Sequence, residues 1–152
     1  MNDPTMLQGT ATNDRETMSV LPESHPFYVR LQRKSDFMRL FLGILFRRQD
    51  VILEMAPRVQ VQRSSSKFYP STELLLEKFY LGLGAYSIVR QGGGNCDSEE
   101  DWHAIGDELT NEMKALSKND SKWNFESKGF LLAAERTFTK DERGACGSSI
   151  EL

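Results

Sequence analysis

Arg30, Arg33 and Lys34, followed further along the chain by Arg47 and Arg48, are the side chains best suited to holding a polyanion. Phe27, Tyr28 and Phe46 stand among them, so guanidinium groups could grip phosphates while rings stack on bases. The same mixture suits an anionic membrane surface, where cations meet lipid headgroups. Residues 27 to 67 hold nine Lys/Arg against three acids, whereas residues 95 to 152 hold seven against thirteen. The net charge of −3 conceals this split. Oppositely charged halves point to an acidic partner for the first half, or to attraction within the fold. The plain alternative is a solvated rim, since exposed charge runs contribute little beyond solubility.

Other chemistry-bearing residues are spaced poorly for catalysis. His25 and His103 each lack a second metal-type ligand nearby in sequence. Asp97, Glu99, Glu100 and Asp101 lack the alternation of a calcium loop and fit the first turn of a helix, where the dipole favours acids. Cys96 and Cys146 form no metal or redox spacing, and no G-x-S-x-G elbow is present. The expectation is a non-enzymatic interaction or regulatory protein with no catalytic residues, no metal and no cofactor. An enzyme with its site scattered along the chain is the opposing class.

Three short stretches resemble known recognition elements. Gly82, Gly84, Ala85, Tyr86, Ser87 and Val89, in the pattern L-G-x-G-A-Y-S-x-V, resemble the glycine-rich loop of protein kinases, which implies two strands meeting over a phosphate. Gly106 stands where the strand lysine would be, and neither H-R-D nor D-F-G follows, so no ATP chemistry is expected. The segment "AIGDELTNEM" resembles the BH3 segment of the Bcl-2 family of apoptosis regulators. That resemblance implies a partner-binding helix over residues 98–117. Trp102, Ile105 and Leu109 would be anchors, Gly106 the small residue and Asp107 the ion-pairing acid. Trp102 replaces the usual leucine, and Ser98 occupies the first anchor position. The ending Ile150-Glu151-Leu152 is similar to the termini captured by PDZ domains, where the carboxylate enters a backbone nest.

The elements that must position these groups read as a mixed fold. "PFYVRLQR" alternates Phe27, Val29 and Leu31 against Tyr28, Arg30 and Gln32, which predicts a strand; Ser35 then caps a helix through Arg48. "DVILEM" and "RVQVQRS" read as strands divided by Pro57, and residues 73–91 are ambiguous between helix and strand. Ser98 to Leu116 carries Trp102, Ile105, Leu109, Met113 and Leu116 at helical spacing. "KWNFESKGFLLAAERTF" predicts a hairpin turning at Ser127-Lys128-Gly129. The sum is an α+β domain over residues 24–139, with a mostly antiparallel sheet covered by two or three helices. A disordered tail is expected over 1–23 and a flexible one over 140–152. The start lacks a secretory signal, and "FMRLFLGILF" is too short to span a bilayer, so the expected compartment is cytoplasm or nucleus.

Overall fold

A computed structural model describes residues 19–20, 22–23, 25–64, 72–92, 96–119 and 122–147. Among them there is no strand, and the expected α+β sheet is replaced by helices throughout. The helices are α1 (Pro26–Leu45), α2 (Gln49–Ser64), α3 (Thr72–Arg90), α4 (Cys96–Asn119) and α5 (Lys122–Gly147). They fall into two compact units, Met1–Tyr69 and Pro70–Leu152.

In the first unit α1 and α2 form an antiparallel hairpin. The helix start lies at His25, not Ser35: the His25 ring nitrogen Nδ1 accepts from the Phe27 N–H at 3.1 Å, and Pro26 takes the first helical position. The alternation in "PFYVRLQR" is genuine, but Asp36, Leu40 and Gly43 carry on a helical period that puts them against α2. The two strands expected around Pro57 are one helix. Val51, Ile52, Met55, Ala56 and Val59 are all 4% exposed or less, and their spacing makes one stripe along α2. Burial of that stripe overrides the β preference of Val and Ile. Pro57 faces solvent, where losing its i→i−4 hydrogen bond is least costly.

The turn closing the hairpin is built on an arginine. Arg48 N–H bonds Gly43 C=O at 2.8 Å and Arg47 N–H bonds Ile44 C=O at 3.2 Å, the paired bonds of a Schellman motif. The motif needs a left-handed residue at its second-last position, and Arg47 fills it with φ 54°. Glycine would sit there without the Cβ clash that arginine carries.

The second unit packs α3, α4 and α5 together. The ambiguous stretch 73–91 is helical, and the expected hairpin in "KWNFESKGFLLAAERTF" is one helix. In α5, Phe125, Gly129, Leu132, Arg136 and Thr139 recur at intervals of four and three and face inward. Gly129 in "SKG" is a small packing residue, with Met113 and Lys114 of α4 about 3.8–3.9 Å from where its Cβ would be. Phe79, Tyr86, Met113 and Leu132 form the centre of the core, lined by Leu75, Tyr80, Leu83, Leu116 and Phe125.

Gly82 and Gly84 lie inside this buried helix, so their backbone N–H groups are spent on helix bonds and form no phosphate cradle. Gly82 lets helices touch. A Cβ on it would stand 2.9 Å from Leu132 Cδ2 of α5 and 3.5 Å from Leu109 Cβ of α4. Among the described residues no helix is long and apolar enough to cross a membrane.

Candidate functional site

Helical geometry regroups the five basic residues. Arg30, Arg33 and Lys34 are spaced i, i+3, i+4 and share one turn of α1, where a strand was expected over Phe27 to Arg33. Arg30 and Lys34 are exposed and Arg33 is half-buried. At 100° per residue, Phe27, Arg30, Lys34 and Leu45 fall within an arc of about 60°, roughly opposite the α2-facing Asp36, Leu40 and Gly43. Leu31, Met38 and Phe41, on the same side between them, are half-buried.

At the apex Leu45, Phe46 and Arg47 are consecutive and exposed. Arg48 is engaged. Its Nε and Nη2 donate to the two Asp50 carboxylate oxygens at 3.1 and 2.8 Å, and this fork holds the Asp50 carboxyl below the usual range.

Beneath the basic face the hairpin buries a carboxylate. Asp36 is 5% exposed and accepts from Gln62 Nε2 at 2.7 Å, with Arg58 Nη1 4.0 Å away. Arg58 is drawn instead to Glu54 at 3.0 Å, and Arg39 reaches the same Glu54 at 3.6 Å. Burial pushes the Asp36 carboxyl above its ordinary value, outweighing the Gln62 bond and the arginines. The carbonyl oxygen of Gln62 is buried without a partner.

The second unit holds the other polar network, and it takes up most of the segment that resembles a partner-binding helix. Leu109 is 0% exposed, and Trp102 and Ile105 are half-buried. A Cβ on Gly106 would lie 2.8 Å from Tyr86 Cε1, so this glycine does permit close approach, to a ring of its own fold. Asp107 does meet an arginine: Arg136 Nη2 of α5 donates to its Oδ2 at 2.8 Å. The His103 ring lies 3.7 Å from the same oxygen, and Tyr86 donates to Oδ1 at 3.1 Å.

Thr110 Oγ1 is 2.9 Å from the Tyr86 hydroxyl and 2.8 Å from the Gly106 carbonyl. Two hydroxyl protons thus serve three short contacts. Burial raises the Tyr86 pKa to about 12, so at neutral pH the phenol is a hydrogen-bond donor and not a base.

Among the described residues no cluster of three or more His, Cys, Asp or Glu side chains could hold a metal ion. The side chains of Cys96, Asp97, Glu99, Glu100, Asp101 and Cys146, and all of Ile150 and Leu152, lie outside the described residues, as does most of the expected N-terminal tail. Nothing in sequence spacing pointed to Tyr86, Thr110 or Arg136, because the three come from three helices and meet only once those helices pack. Comparison with known protein families, curated proteins and solved structures finds no match.

Proposed function

We propose that this chain is a non-catalytic interaction protein of the cytoplasm or nucleus whose basic hairpin engages an acidic partner. The observation that carries the reading is the surface of α1 and its apex: Arg30, Lys34 and Arg47 are all exposed there. Arg33 on the same turn extends the positive field, whereas Arg48 is neutralised by Asp50. Lys34 and Arg47 are about 20 Å apart at 1.5 Å per residue, so one extended anion could meet both. In the second unit the polar groups around Asp107 bond one another, which suits a structural role.

Binding through such contacts releases counterions and should weaken steeply with salt. The test is affinity for polyglutamate, RNA and anionic vesicles at low and physiological salt. The wild-type chain is compared with a variant carrying Arg30→Glu, Arg33→Glu, Lys34→Glu and Arg47→Glu. Salt-sensitive binding to at least one anion, lost in the variant while helicity persists, is the expected result. No binding at low salt, or binding indifferent to the four reversals, would sink the reading.

A further inference from the structure

The basic face of α1 also carries apolar side chains that the fold leaves in water. Phe27 is 54% exposed, Leu45 60% and Phe46 50%. Phe27 and Leu45 share the arc of Arg30 and Lys34, and Phe46 and Arg47, both exposed, follow Leu45 in the turn at the apex. The two ends of this strip are about 27 Å apart along the helix. Apolar side chains exposed beside cations on one helix face suit a surface that offers negative charge and apolar depth together.

A nucleic acid offers phosphates to the cations and base faces to Phe27 and Phe46, but nothing for an aliphatic Leu45 at the apex. A lipid bilayer offers all of it in one plane, with anionic headgroups over the cations and acyl chains just beneath for the apolar groups. On this helix α2 packs on the opposite side, through Asp36, Leu40 and Gly43, so α1 can lie flat without disturbing the hairpin. Arginine in the left-handed turn position fits as well: the turn alone would favour glycine, while a headgroup contact favours a cation.

Resting on the basic-surface reading above, we infer that the partner is an anionic lipid surface. The first unit lies on it through α1, with Phe27, Leu45 and Phe46 seated in the headgroup layer and Arg30, Lys34 and Arg47 on the lipid phosphates. The contact is adsorption at the surface.

The experiment is co-sedimentation of the full chain with vesicles of phosphatidylcholine alone and with 3:7 phosphatidylserine:phosphatidylcholine. Polyglutamate and single-stranded RNA are soluble comparators. Two variants separate the forces: Arg30→Glu with Lys34→Glu and Arg47→Glu, and Phe27→Ser with Leu45→Ser and Phe46→Ser. All six positions are exposed, and circular dichroism checks that helicity is kept.

The expected result is binding to serine-containing vesicles and little to neutral ones. The charge variant should fall more than 100-fold, since each cation near an anionic surface is worth roughly fivefold. The apolar variant should fall at least tenfold on vesicles and keep its affinity for polyglutamate. Binding to polyglutamate or RNA without binding to vesicles would overturn the lipid inference and leave the basic-surface reading standing. Vesicle binding untouched by the apolar variant would overturn it as well, and binding to none of the probes would remove both.

Discussion

Asp107 in the bundle of α3, α4 and α5 is met by Arg136 at 2.8 Å, Tyr86 at 3.1 Å and His103 at 3.7 Å. Asp36 in the α1–α2 hairpin has one close donor, Gln62, while the nearest arginine stands 4.0 Å off and prefers Glu54. The difference follows from the number of walls. Three helices can bring groups from three directions onto one carboxylate and enclose them in apolar packing. Two helices share a single seam, so an acid buried there depends on what one facing helix supplies. The same geometry leaves α1 a second face to be covered by solvent or a partner, and that face carries the exposed cations and rings. Around Asp107 the polar groups of the bundle serve the fold, whereas the hairpin exposes Arg30, Lys34 and Arg47 at its surface.

Leu109→Ala should break the bundle side of this comparison hardest. Leu109 is fully buried, and deleting a side chain of that size from a core costs about 2–5 kcal/mol. Urea denaturation followed by circular dichroism measures it, and a loss under 1 kcal/mol would mean that α4 is not held as described. Gly106→Ala comes next. The new methyl would press on Tyr86 at 2.8 Å, where a rigid ring cannot yield as a chain end does. A cost of about 1–3 kcal/mol for overpacking should outweigh the roughly 1 kcal/mol of helix propensity gained. A more stable variant would contradict the close approach.

How far these helices were legible depended on where the hydrophobic period met a competing signal. The α4 pattern of Ile105, Leu109, Met113 and Leu116 had no competitor and was read as a helix. In α2, Pro57 looked like a boundary, yet it sits on the solvent side of a continuous helix. In α3, Gly82 and Gly84 resemble a phosphate-binding loop because the packing of Gly82 against Leu132 and Leu109 cannot be seen in one dimension. In α5, Ser127-Lys128-Gly129 matched a turn, although Phe125, Gly129 and Leu132 already carried the helical period. Each of these local signals fits either structure, and only the tertiary contact decides between them.

The candidate basic residues, by contrast, were legible as a charge imbalance, which needs no fold. Their helical grouping and the apolar side chains beside them were not.

On the hairpin side, Arg47→Gly should raise stability by about 1 kcal/mol, because glycine relieves the left-handed strain. The same change should weaken anion binding. A loss of stability would show that the arginine side chain supports the turn. The smallest effect is the pH response of Asp36. Burial raises its folded pKa above the ordinary carboxylate value, so the folded state holds the proton more tightly than the unfolded one. The contribution to stability is therefore fully present below about the unfolded value and is lost as pH rises through the folded value. Asp36→Asn should erase that step. It should also leave stability at pH 7 unchanged or slightly raised, since the new amide can donate to the unpartnered Gln62 carbonyl. Melting temperatures from pH 3 to 8 would show it; an unaltered profile would assign the response elsewhere.

The division of labour between the two units is tested most directly by the affinity for an anionic probe, polyglutamate or serine-containing vesicles, of two variants held at a temperature where both are folded. Arg30→Glu with Lys34→Glu should lose most of its low-salt affinity at a nearly unchanged melting temperature. Leu109→Ala should melt well below the wild type and bind as tightly. Affinity that follows stability in both variants, or that survives both charge reversals, would contradict that division of labour.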